Sequence, residues 1–92
     1  MIVSFRHKGL KQLFEHGSRR GMNPQHVEKI ENILAVLDVA RKIQDIDVHS
    51  FRLHPLSGNL KGFWSVTVRA NWRIIFRFEK GNAFDIDLLD YH

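Results

Sequence analysis

Trp72-Arg73-Ile74-Ile75-Phe76-Arg77-Phe78-Glu79-Lys80-Gly81-Asn82-Ala83-Phe84-Asp85-Ile86-Asp87-Leu88-Leu89 decides the fold. In its first half, Trp72, Ile74, Phe76 and Phe78 alternate with Arg73, Ile75, Arg77 and Glu79. In its second half, Phe84, Ile86 and Leu88 alternate with Asp85, Asp87 and Leu89. A period of two predicts two half-buried strands. Lys80-Gly81-Asn82 predicts a three-residue hairpin loop, with Gly and Asn available for positive φ. Setting apolar residues opposite apolar ones then fixes a register. Phe78 should face Phe84, Arg77 should face Asp85, Phe76 should face Ile86, Ile74 should face Leu88 and Arg73 should face Leu89. Arg73 would thus lie on the polar face, one step from the terminal Asp90-Tyr91-His92.

Working upstream, Trp64, Val66 and Val68 alternate with Ser65, Thr67 and Arg69. The same logic puts Val68 opposite Trp72 and Thr67 opposite Arg73. Leu56 to Gly62 reads as a loop, and Phe51 to His54 reads as a strand that Pro55 ends. Asp45 to Ser50 reads as a polar connection. The period before this point is helical. Val27, Ile30, Leu34 and Leu37 recur every three or four residues behind an N-cap Asn23 and Pro24, fading near Arg41 to Ile43. Lys8 to His16 reads as a shorter helix that Gly17 stops. Ile2 to Phe5 reads as a first strand. The fold class is therefore α+β, with two N-terminal helices packed on one face of a small, twisted, mainly antiparallel sheet.

At 92 residues and 10.8 kDa the chain is one domain, residues 1–92. It has no Cys, which excludes disulfides, thiolate metal sites and thiol catalysis and suits a reducing cytoplasm. No apolar run is long enough to span a bilayer, and the first residues lack a signal-peptide apolar region, so no membrane role is expected. The net charge of +4 is unevenly placed. Val48 to Phe78 holds Arg52, Lys61, Arg69, Arg73 and Arg77 and no acid. Such a window suits a polyanion such as RNA, or is a solvated basic face.

Several residues in and after that window have the chemistry that metal-free RNA cleavage needs. Such cleavage requires a group that takes the 2′-OH proton, donors for the charge on phosphorus and an acid for the leaving 5′ oxygen. Arg73 offers a guanidinium fork suited to phosphate, or an ion pair with Asp87 or Asp90. His92 and Tyr91 can transfer protons, and Asp90 can act as base or orient a His, unless the trio is a solvated tail. His54 stands at a strand end, as a cap or as a proton-transfer group. Ser57, Lys61 and Arg69 are candidates for phosphate contact. The six His residues show no metal-ligand spacing, so no metal and no cofactor is expected.

Leu53-His54-Pro55-Leu56-Ser57-Gly58, Gly62-Phe63-Trp64-Ser65-Val66, Asn71-Trp72-Arg73-Ile74-Ile75-Phe76 and the terminal Asp90-Tyr91-His92 resemble the HigB toxins. These belong to the RelE superfamily of bacterial type II toxin–antitoxin systems. The resemblance covers the whole chain. It implies a ribosome-dependent mRNA endonuclease that cuts in the A site by metal-independent 2′-OH attack and so inhibits translation. It implies a small, HigA-like helix-turn-helix antitoxin, with operator DNA bound only through the antitoxin complex. By resemblance Arg73 is the phosphate-stabilising arginine, Tyr91 and His92 are the terminal pair with Asp90 beside them, and His54 is the histidine of the Leu-His-Pro-Leu segment. Family members often carry Lys two residues after the proline. Here that residue is Ser57, and Lys61 in the same loop is the candidate substitute. Two other readings on this scaffold are a non-enzymatic gyrase poison of the ParE type and a basic RNA-binding domain.

Overall fold

The two strands read from the decisive stretch are β3, Trp72–Glu79, and β4, Asn82–Asp90. The computed structural model describes residues 1–90, so the readings that concern Tyr91 and His92 lie outside the described residues. β1, His54–Pro55, and β2, Trp64–Arg69, complete a four-stranded antiparallel sheet in the order β1-β2-β3-β4. α1, Lys8–His16, and α2, Pro24–Val39, precede them. The α+β architecture is the expected one.

The helix ends follow their sequence signals. His7 Nδ1 accepts the Leu10 N–H at 3.1 Å and caps α1, and Gly17 ends it at φ 68°, a conformation that costs glycine least. Asn23 Oδ1 accepts the Gln25 N–H at 2.9 Å, and Pro24 opens α2. α2 stops at Val39, short of the expected fade. Leu10 and Leu13 of α1 and Val27, Ile30, Ile33, Leu34 and Leu37 of α2 form the core with Val66, Val68, Ile74, Phe76, Ala83 and Ile86 of one sheet face. Trp64 and Trp72 pack against that core as their alternation predicts.

Four readings are corrected. First, the strand expected over Phe51 to His54 is His54–Pro55, and His49–Phe51 is a 3₁₀ turn. The connection read as polar carries Ile46, which is fully buried, as is Phe51 at the start of the expected strand. Single apolar residues in tight turns have no period, so the pattern does not reveal them. Asp45 holds this segment by accepting the backbone N–H groups of Arg41 and Lys42 at 2.9 and 3.2 Å. Those bonds, with that of Arg41 the largest cause, hold its carboxyl below the usual carboxylate range.

Second, the β3–β4 loop has two residues. Lys80 and Gly81, at φ 51° and 79°, carry the turn, and Glu79 pairs with Asn82. Near the turn Phe78 therefore faces Ala83 and Arg77 faces Phe84. Beyond it the pairing shifts by one, so Ile74 faces Leu88 and Arg73 faces Leu89 as expected. The shift is a bulge at Asp85, which takes φ 55°. Third, Arg69 rather than Val68 faces Trp72, across a second bulge, while Thr67 faces Arg73 as expected.

Fourth, the first strand expected over Ile2 to Phe5 is instead two isolated bridges, Ile2–Ala83 and Phe5–Ile86, through which the segment runs parallel to β4 along its open edge. Val3 and Arg6 donate to Ala83 and Ile86 at 2.8 Å each. Asp85 lies between these bridges, and its N–H is accepted by Ser4 Oγ at 2.9 Å. Ser4→Ala removes that acceptor and leaves a partly buried donor unpaired. It should destabilise the fold by about 1 kcal/mol, read as a lower melting temperature. An unchanged melting temperature would show that the bulge does not depend on Ser4.

Candidate active site

Each of the two bulges decides which side chains share the face turned away from the helices. Residues that pair directly project to the same side. One row on this face is therefore His54, Ser65 and Ile75, and the next is Thr67, Arg73 and Leu89. His54 and Arg73 are two strand spacings apart, about 10 Å across, and one pleat step apart along the strands. That separation suits an imidazole and a long guanidinium arm converging on one group between them.

A cleft of about 330 Å³ lies over these rows, lined by Arg52, His54, Pro55, Leu56, Ser57, Ser65, Thr67 and Arg73. Ser65 and Thr67 supply its strand floor. Its rim comes from the turn at Arg52 and from the loop beyond Pro55, which the Leu56 N–H holds to the Phe63 carbonyl at 2.9 Å. Arg73 Nη1 donates to the Ala70 carbonyl at 2.7 Å, which steadies the guanidinium against its own hairpin turn. Its remaining donors form part of a planar fork that suits the oxygens of a phosphate or carboxylate. No acidic residue is among those lining the cleft, which carries two guanidiniums and one imidazole. Clustered positive charge of this kind attracts an anion, and a phosphate group is one that guanidinium forks suit.

The structure thus gathers His54, Ser57 and Arg73 from the residues singled out in the sequence. It brings Asp90 to the same end of the sheet, opposite Trp72 and one residue past the Arg73–Leu89 pair. Lys61 ends the 3₁₀ turn Gly58–Leu60 and does not line the cleft. Arg69 is not on the cleft face either. The bulge before it turns it to the Trp72 side, where Nη1 donates to Gln25 Oε1 of α2 at 3.1 Å. Arg77 is engaged structurally, as expected, with Nε 3.6 Å from Asp85 Oδ2 and its guanidinium 4.7 Å from the Phe63 ring centre. Arg52, Ser65 and Thr67 are cleft residues that the sequence reading did not single out. Among the described residues no group of three or more His, Asp or Glu is placed to share a metal ion. No helix among them is long and apolar enough to cross a membrane.

The family of RelE-like toxins of the type II toxin–antitoxin system HigB matches residues 3–92. The Endoribonuclease HigB of Proteus vulgaris is 48% identical over 92 residues, covering all of both chains. Toxin HigB-1 of Vibrio cholerae serotype O1 is 33% identical over 94 residues, covering all of this chain and 98% of its own. Among solved structures, a YoeB/ParE toxin from Agrobacterium tumefaciens is similar with a TM-score of 0.59 at 16% identity, covering 96% of each chain. That last likeness shows the shared fold alone.

If the cleft is the anion site, inorganic phosphate should raise the melting temperature of the wild type and of Arg69→Ala alike, and raise it less in Arg73→Ala. An equal rise in all three proteins would put the anion elsewhere.

Proposed function

The chain belongs to the HigB family of RelE-like toxins of type II toxin–antitoxin systems, and from that premise we propose that it is an endoribonuclease that cuts mRNA in the ribosomal A site. The observation that carries the reading is the cleft in which Arg73, Arg52 and His54 stand together over one sheet face, with no acid among its described lining residues. The printed name of the Proteus vulgaris relative, identical at 48% of positions over its whole length, supports ribonuclease chemistry.

In this mechanism the 2′ oxygen attacks the adjacent phosphorus as its proton leaves to a base. The bond from phosphorus to the 5′ oxygen breaks, and an acid protonates that oxygen. The products are a 2′,3′-cyclic phosphate and a free 5′-hydroxyl. Arg73 stabilises the charge that grows on the non-bridging oxygens, where preorganised donors act most strongly. His54, Tyr91 and His92 are the proton-transfer groups, with Asp90 orienting or accepting. Imidazole suits both directions of transfer near neutral pH. Ser57 contributes a hydroxyl rather than a cation, and Lys61 lies outside the cleft, so the domain's own grip on the scissile phosphate is incomplete. The ribosome then completes the positioning of the strand, which is a large part of the barrier to be overcome. The partner that restrains the toxin is a HigA-like helix-turn-helix antitoxin, through which alone the complex meets operator DNA. The site of action is the cytoplasm.

Primer extension on a translated mRNA, with and without ribosomes, tests the reading. Cuts should appear only with ribosomes. Efficient cutting of free mRNA at physiological salt would contradict it, and no cutting in either arm would refute the ribonuclease assignment. Arg73→Ala should slow cleavage by about a hundredfold or more and keep its melting temperature, because the side chain faces away from the core. Deleting His92 should do the same. Activity loss that only tracks unfolding would make both residues scaffold.

Ser57 lines the cleft and makes no capping hydrogen bond through its side chain. Ser57→Lys adds a mobile cation there without breaking a side-chain hydrogen bond among the described residues. Cleavage should be preserved or faster, and a slower rate in a stably folded variant would mean that the loop is not shaped to admit one.

A further inference from the structure

Arg52 stands in the left-handed region at φ 51°, ψ 53°, between the buried Phe51 and the core-packed Leu53. Its N–H closes the 3₁₀ turn onto the His49 carbonyl at 3.4 Å, and the chain then enters β1. That reversal needs a left-handed residue. Glycine meets the need without a Cβ penalty, and Asn with a smaller one than most side chains. The other non-glycine residues in this region have evident local causes. Ala70 and Lys80 occupy two-residue hairpin turns, whose twist demands positive φ, and Asp85 is the bulge. Arg52 occupies neither, and a long charged side chain is held at a position where it costs the fold.

No contact among the described residues accounts for that charge. The Arg52 guanidinium has no hydrogen bond, ion pair or ring contact among the described residues, and the residue is exposed. What it does is line the cleft with His54, Ser65, Thr67 and Arg73, entering from the β1 side of the sheet while Arg73 stands on β3, two strands across. A conformation that is strained for a non-glycine residue and sits at a site rim is where function outweighs local stability.

We propose that Arg52 is a second phosphate-binding arginine of this cleft, approaching the RNA backbone from the rim opposite Arg73. The inference rests on the ribonuclease reading for its place in catalysis but not for the anion contact itself. Arg73 is steadied by its bond to the Ala70 carbonyl and supplies fixed donors. Arg52, without a hydrogen bond, ion pair or ring contact among the described residues, closes on the phosphodiester when the strand arrives. Two forks on opposite sides of one phosphate, or on adjacent phosphates, set both its position and its orientation.

The role predicts that stability and function move in opposite directions. Arg52→Gly and Arg52→Asn should melt at the wild-type temperature or higher, since the left-handed position is relieved. Both should bind a fluorescent 2′-O-methyl RNA oligonucleotide, which cannot be cleaved, about tenfold more weakly at low salt. The dependence of log affinity on log salt should become shallower by about 0.7, one single-strand phosphate contact. In the ribosome-dependent assay both should cut more slowly, with Arg52→Lys intermediate because it keeps the charge and loses the fork. Wild-type binding by Arg52→Gly and Arg52→Asn overturns the inference. A loss of binding in step with a lower melting temperature also overturns it, because Arg52 would then be a structural residue. A wild-type protein that cuts no mRNA refutes the ribonuclease reading, while the binding arm still decides the role of Arg52.

Discussion

The bulge at Asp85 is the constraint on which the rest of the structure depends. A two-residue turn at Lys80-Gly81 sets a pairing that, continued unbroken, would put Asp87 opposite Ile74 on the core face and Leu88 opposite Arg73. A one-residue slip turns every following side chain over. The extra residue in β4 reverses that slip, so Ile86 and Leu88 join the core and Leu89 faces Arg73. Asp tolerates the left-handed backbone that the bulge demands. Ser4 accepts the freed N–H and Arg77 stands against the carboxylate, so the N-terminal segment and β3 both hold the defect in place. That segment also covers the β4 edge, which would otherwise present unpaired backbone groups.

The second bulge, between Thr67 and Arg69, does for the charge what the first does for the core. It keeps Thr67 beside Arg73 on the cleft face and sends Arg69 to the helix side, against Gln25. The basic window is thereby divided. Arg52 and Arg73 serve the cleft, Arg69 anchors to α2, and Arg77 stacks on Phe63 with Arg6, whose guanidinium lies 5.1 Å from the same ring. A domain this small gains more from such a division than from net charge, because only cations on one face sum into a field that a strand of RNA can follow.

Most of the architecture was legible because it rests on long periodic runs. The stripe of α2, its Asn23-Pro24 start and the alternation of β2 and β3 are strong signals, and each became the element expected. The bulges were not legible, since Val68 carries no turn signature, Asp85 sits inside a regular alternation, and alternation assumes that every residue takes one pleat. The far register of β3 and β4 was still right, because a three-residue loop and a two-residue loop plus a bulge add the same number of residues beyond Asp85. Part of the cleft was legible as well. His54 and Ser57 flank Pro55, and Arg73 sits at a parity the hairpin fixes. Arg52 was hidden by its setting, a lone arginine in a turn without period, whose meaning lies in a backbone angle that no residue type announces. Arg69 was misplaced for the reason that hid the bulge beside it.

The central claim is that the RNA backbone lies in the cleft on the face away from the helices. The most direct measurement is the change in backbone amide NMR signals when a 2′-O-methyl RNA dinucleotide is titrated into the isotope-labelled protein. The account predicts that the largest shifts fall on Arg52, His54, Ser57, Ser65, Thr67 and Arg73, with α1 and α2 nearly still. Largest shifts on the opposite face, at Gln25, Lys29 and Arg69, would contradict it.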